Sequence, residues 1–183
     1  MKIQYRAVDV SSVEAKPHPA EKWFDFVATV AGAIAAVMLI LAFLFRVVTV
    51  DGQSMVPNLH DGDRLILTDV TTHYDRGEIV VISRADDDPL VKRVIAVSGD
   101  TIYLRDGSVY LNGELLDEPY IDQETYDVSP GPPDFPLTVP RGYVFVMGDN
   151  RGNSLDSRSY EVGLVDTHRI LGKVMVHLSN SEE

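Results

Sequence analysis

The chain has no cysteine among its 183 residues. Disulfides, thiolate metal sites and a cysteine nucleophile are thereby excluded. Basic residues are also scarce, with 16 Lys and Arg against 28 Asp and Glu and a net charge of -12. That balance excludes nucleic acid as an expected partner. The deficit is uneven. Residues 1–46 hold five basic groups (Lys2, Arg6, Lys16, Lys22, Arg46) and four acidic ones (Asp9, Glu14, Glu21, Asp25). The remainder then holds 11 basic and 24 acidic groups, a net of -13. Such an excess reads as a solvated acidic surface that keeps a domain soluble. No internal repeat is present, and no soluble amphipathic helix of 12 or more residues is expected.

One segment lacks charge altogether. Phe26 to Phe45 reads FVATVAGAIAAVMLILAFLF, 20 residues in which only Thr29 is mildly polar. As a helix it spans about 30 Å, the thickness of a bilayer core. Trp23 and Phe24 stand at one end, where interfacial aromatics are favoured. A cleavable signal peptide has a shorter apolar stretch and a small-x-small site after it. Here Arg46-Val47-Val48-Thr49-Val50 follows instead. The expectation is one transmembrane helix over 23–46, preceded by a tail over 1–22, which Lys16-Pro17-His18-Pro19 keeps irregular. Four Lys or Arg precede the span, and Arg46 followed by Asp51 comes after it. The positive-inside bias then puts the N-terminus in the cytoplasm and residues 47–183 outside, on a single-pass protein of the cell membrane.

Beyond Arg46 the pattern changes to period two. Val47 to Val50, Arg64 to Leu67, Ile79 to Ile82, Leu90 to Val97, Tyr143 to Met147 and Ile170 to Leu178 are strand candidates. Ile102-Tyr103-Leu104 and Val109-Tyr110-Leu111 flank Asp106-Gly107, a hairpin signal, and Asn112-Gly113 marks the next turn. Residues 127–140 contain five prolines and read as an irregular connector, because proline lacks a ladder donor. The fold class is therefore mainly β, with antiparallel sheets and long loops behind one N-terminal transmembrane helix.

Three places carry candidate chemistry. Gly52-Gln53-Ser54 lies just past the first outside strand, where Gly52 permits a sharp backbone. It is not a G-x-S-x-G elbow, since Val56 occupies the second glycine position. A serine needs a base. His60 could serve in a triad, although Leu59-His60-Asp61-Gly62 reads as an ordinary turn. Lys92 is the better candidate, because alternation puts it with Leu90 and Val94 on one face while Arg93 points the other way. Buried there, its ammonium would be destabilised, and a pKa near 8 would make a working general base. The third place is Gly148 to Arg158, dense in polar loop formers. It could be a polar turn or a calcium site through Asp149, Asn150 and Asp156, but it lacks the D-x-[DN]-x-[DN]-G spacing, so no metal is expected. The charges of Asp149, Asp156 and Arg158 suggest an internal ion-pair brace.

These segments together resemble bacterial type I signal peptidase. Ser54-Met55-Val56-Pro57 is similar to its nucleophile motif, and Gly62 to Leu67 to the strand that follows. Lys92-Arg93-Val94-Ile95 with Gly99-Asp100 resembles its lysine motif. Gly148-Asp149-Asn150-Arg151 with Asn153-Ser154 and Asp156-Ser157-Arg158 resembles its last motif. The resemblance implies Ser54 as nucleophile, Lys92 as general base, Ser154 orienting the lysine, and Asp149, Asp156 and Arg158 bracing the site. It implies a β domain with its catalytic face at the membrane surface, and no cofactor. The partners implied are signal-peptide-bearing preproteins, cut after Ala-x-Ala-like sites, and the lipid bilayer, with the enzyme a monomer. Three departures stand out. Asn58 replaces a usual threonine, and Ala96-Val97-Ser98 a usual Gly-x-Pro. Gly52 stands where some members carry a serine whose hydroxyl serves the oxyanion. Backbone N–H groups of Ser54 and Gly52 would serve instead, and a lost donor can cost roughly 3 kcal/mol.

Overall fold

A computed structural model of the chain describes residues 19–68, 73–85, 88–122 and 134–179. The chain divides into two compact units, with the break between Ala42 and Phe43. Helix α1, Pro19–Leu44, makes up the described part of the first, its last two residues falling past the break. Within it Lys22–Leu44 has a mean hydropathy of 2.6, and none of that window is buried. An uncovered helix that is apolar on all sides is built for lipid rather than for a protein core. Its one mid-span hydroxyl, on Thr29, donates to Asp25 O at 2.7 Å and so needs no outside partner. The helix stops at Leu44. Phe45 and Arg46, assigned from sequence to the end of the span, are instead the first residues of strand β1, Phe45–Thr49.

The second unit is mainly β. Strand β1 is followed by β2 (Arg64–Thr68), β3 (Ile79–Ile82), β4 (Leu90–Val97), β5 (Thr101–Arg105) and β6 (Ser108–Leu111). Then come β7 (Glu114–Leu115), β8 (Leu137–Thr138), β9 (Tyr143–Met147), β10 (Val165–Asp166) and β11 (Ile170–Leu178). They form a seven-stranded sheet in the order β1-β2-β11-β3-β4-β9-β10 and a four-stranded sheet in the order β7-β6-β5-β8. Every pairing is antiparallel. Asp106-Gly107 and Asn112-Gly113 make the turns of the small sheet, with φ of 50° and 76°, then 55° and 89°. Both central residues are left-handed, the combination whose twist suits a two-residue hairpin. Residues 127–133 of the proline-rich connector lie outside the described residues, as does nearly all of the tail over 1–22. Leu137–Thr138 departs from the expected irregular loop by adding a short rung to β5. It can do so because Pro136 precedes the rung and leaves both of its N–H groups free to pair.

Three apolar clusters make the core. One lies between the sheets, around Ile95, Ile102, Val109, Phe145 and Met147. A second gathers Val80, Ile82, Val94, Val144 and Val146. The third joins Val50, Met55, Leu59, Leu65, Leu67 and Val81. It matters most for function. Met55 and Leu59 are one turn apart, with Leu59 N–H donating to Met55 O at 2.9 Å. Both side chains are buried, so they pin the loop after β1 to the sheet. Ser54 stands directly before this anchor.

Candidate active site

The central contact joins Ser54, on the loop after β1, to Lys92, on β4. Lys92 Nζ lies 2.7 Å from Ser54 Oγ and donates to Val91 O at 2.9 Å. The lysine is 1% exposed. Burial lowers its pKa from 10.5 to about 8, against the pull of Asp156 and Asp149 and with some help from Arg158. Among the described residues no carboxylate touches the amine. The low proton affinity thus comes from lost water that nearby charge only partly replaces.

Those charges are themselves committed. Asp156 Oδ1 and Oδ2 accept from Arg158 Nε and Nη2, each at 2.9 Å, and Oδ2 also accepts the Gly148 N–H. Both side chains are fully buried. Asp149 departs from the brace expected with Asp156 and Arg158. Its carboxylate pairs instead with Arg93, Nε to Oδ1 at 2.8 Å and Nη2 to Oδ2 at 2.6 Å. The reason is strand alternation, which sends Arg93 to the face opposite Lys92 and toward the start of the 148–158 loop. With each carboxylate held by a guanidinium, the oxygens proposed for a calcium site are already in use. His60 contributes its backbone N–H to Asp63 Oδ2 at 2.8 Å, and no contact joins its ring to Ser54.

Two expected partners are placed differently. Ser154 Oγ is buried and makes no hydrogen bond among the described residues, so its expected bond to the lysine is not formed. It packs against Gly148 instead: a Cβ built on Gly148 would lie 2.6 Å from Ser154 Cβ and closer still to its Oγ. The Gly52 N–H, expected at the oxyanion, donates to Asp61 Oδ1 at 2.8 Å. A carboxylate is a strong acceptor, and it holds that donor in the turn at φ 92°.

Several residues of the site were not singled out from sequence. Asn58, noted only as a departure, donates through Nδ2 to Asp149 Oδ2 at 2.8 Å and to Tyr120 O at 2.6 Å. The Tyr120 ring lies 4.2 Å from the Arg93 guanidinium. Glu118 pairs with Arg151 at the buried foot of the 148–158 loop, and Tyr120 OH donates to Glu118 Oε1. Glu118 to Tyr120 thus strap the loop from the small sheet. The available signal was an unexplained Glu-Pro-Tyr after the last hairpin.

The arrangement is a desolvated amine in contact with a hydroxyl, with no metal-like cluster among the described residues. That is equipment for covalent acyl transfer. A family model described as signal peptidase, peptidase S26, matches residues 23–178. A signal peptidase I of Bacillus licheniformis is 39% identical over 158 residues, covering 81% of this chain and 84% of that protein. Signal peptidase I T of Bacillus subtilis is 40% identical over 149 residues, covering 76% and 77%. A crystal structure of a signal peptidase I from Enterococcus faecalis matches with a TM-score of 0.45 at 32% identity, covering 57% of this chain and 97% of that one. A desolvated lysine against a serine stands in a chain that the family model and the two Bacillus proteins match over most of its length: it is a peptidase belonging to the signal peptidase family, peptidase S26.

Proposed function

We propose that this chain cuts exported preproteins after small-x-small sites by a Ser54–Lys92 acyl-enzyme mechanism, anchored in the membrane by α1 as a single-pass monomer. The observation that carries the reading is the 2.7 Å contact between Ser54 Oγ and an amine that burial has made easy to deprotonate. With a pKa of about 8, roughly a tenth of the amine is neutral at pH 7. A neutral amine can keep one N–H on Val91 O and offer its lone pair to the Ser54 hydroxyl. The hydroxyl then gives up its proton as Oγ attacks the carbonyl carbon. The resulting ammonium protonates the leaving amine, the C–N bond breaks, and an ester to Ser54 remains. Water hydrolyses that ester with the same lysine as base.

Asp149 and Asp156 play no part in these proton steps. They oppose the ammonium's loss of water, and without them the lysine pKa would lie lower still. Gly148 lets their loop approach: a Cβ there would sit 2.5 Å from Ser54 O. The charge distribution around the span favours a cytoplasmic N-terminus and an outside peptidase domain. Holding the enzyme in the same bilayer as a precursor's apolar segment raises the effective concentration of the scissile bond. The test is cleavage of a precursor bearing an Ala-x-Ala site by the full chain in detergent. Ser54→Ala and Lys92→Ala should each abolish it; cleavage surviving in Lys92→Ala would contradict the mechanism.

A further inference from the structure

Asn150 grips the nucleophile loop with two donors. Its backbone N–H donates to Ser54 O at 3.0 Å, and its side-chain Nδ2 donates to Gln53 O, also at 3.0 Å. These carbonyls belong to consecutive peptides, and Gln53 O also accepts a longer bond from the Val56 N–H at 3.3 Å, so the Asn150 amide is the shorter of its two donors. The Gln53 carbonyl shares a peptide plane with the Ser54 N–H, and that peptide is trans. Planarity points the two groups in opposite directions, so a bond that fixes the oxygen also aims the N–H. A donor on the carbonyl further polarises the amide and strengthens the N–H on its other side.

That N–H is free for the task. Among the described residues the Ser54 N–H donates to no group. Gly52 offers no substitute, because its own N–H is taken by Asp61 and it has no side chain. We propose that Asn150 is a positioning residue for the oxyanion, its side-chain amide holding the Gln53–Ser54 peptide from behind so that the Ser54 N–H meets the tetrahedral intermediate. The inference rests on the Ser54–Lys92 reading and deepens it. Asn150 is neutral and bonds to neither Lys92 nor the Ser54 hydroxyl, so removing its amide leaves the base as it was.

The test uses the full chain in detergent, a peptide substrate with an Ala-x-Ala site, and the matching peptide aldehyde. The aldehyde's adduct with Ser54 places an oxygen where the oxyanion forms, whereas the uncut peptide does not. Asn150→Ala removes the amide; Asn150→Leu removes its donor while keeping its bulk. In both, kcat should fall about tenfold, the worth of one hydrogen bond. KM should stay within about twofold, and the aldehyde Ki should rise with the loss in kcat. The acid limb of the pH profile should remain near 8. KM and Ki do not depend on how much enzyme is folded, so they read the site even in a poorly folding variant. Wild-type kcat in either variant, equal rises in KM and Ki, or a displaced acid limb would overturn the role of Asn150. Ser54→Ala is assayed alongside: loss of cleavage there upholds the underlying mechanism, and retained cleavage would overturn that instead.

Discussion

Lys92 on β4 and Lys173 on β11 flank the same residue, Val80 of β3, which is the register partner of both. They are one residue type in one sheet, yet their proton affinities move apart. Lys173 Nζ lies 2.6 Å from Glu78 Oε1, and this carboxylate raises its pKa. Lys92 has lost its water and gained a hydroxyl and a carbonyl, and its pKa falls to about 8. Lysine becomes a base only where burial outweighs the nearest negative charge. The β3–β4 side of the sheet meets that condition and the β3–β11 side does not.

The largest expected effect separates the two amines. Lys92→Ala should lower precursor cleavage by roughly a thousandfold or more, as loss of one member of a catalytic pair does. Lys173→Ala should leave it unchanged. Similar losses in both would erase the distinction.

The second prediction concerns stability against pH. In the unfolded chain Lys92 titrates at its ordinary 10.5, and in the folded chain at about 8. Between those values the unfolded state holds a proton that the folded state has released. Stability therefore rises as pH climbs through that window, by roughly 3 kcal/mol, and burial of the ammonium works against folding below it. Denaturant melts of the wild type from pH 7.5 to 10.5 should show the rise. It should vanish in Lys92→Met and persist in Lys173→Met, whose raised folded pKa acts only at higher pH.

A third change keeps both lysines and moves the loop that carries the charges around Lys92. Gly148→Ala puts a Cβ 2.5 Å from Ser54 O. Backbone cannot yield there without shifting the nucleophile, and a misplacement of about 1 Å can cost a hundredfold in rate. Cleavage should fall by about that much, measured as kcat, while Gly99→Ala, with open space around it but a φ of 92°, should cost stability through backbone strain and keep most of the folded enzyme's kcat. The smallest effect is expected for Glu78→Gln. It removes the partner of Lys173 and should leave cleavage rate and its pH profile where they were.

The comparison also explains what the sequence made legible. Lys92 could be read because a charged residue inside Leu90 to Val97 breaks a run whose alternation is otherwise apolar on that side. The strand pattern was equally local: Ile79–Ile82, Leu90–Val97, Tyr143–Met147 and Ile170–Leu178 occupy the residues that periodicity assigns. The two-residue turns follow from Asp-Gly and Asn-Gly alone. The partners of the buried charges were not legible. Arg93 finds Asp149 across 56 positions and Arg151 finds Glu118 across 33, through the joining of β4, β9 and the small sheet. Charge type says that Asp149 needs a cation; only the fold selects Arg93 over Arg158. The same holds for Ser154, whose hydroxyl faces Gly148, and for Asn150, whose reach to Gln53 spans 97 positions.

The central claim is that Lys92 is a deprotonable amine beside Ser54. The most direct measurement is the titration of Lys92 itself, by nitrogen NMR of the side-chain amines in a chain that has only five lysines. The structure predicts a midpoint of about 8 for Lys92. A midpoint near 10.5 would show an ordinary solvated ammonium and would contradict the account.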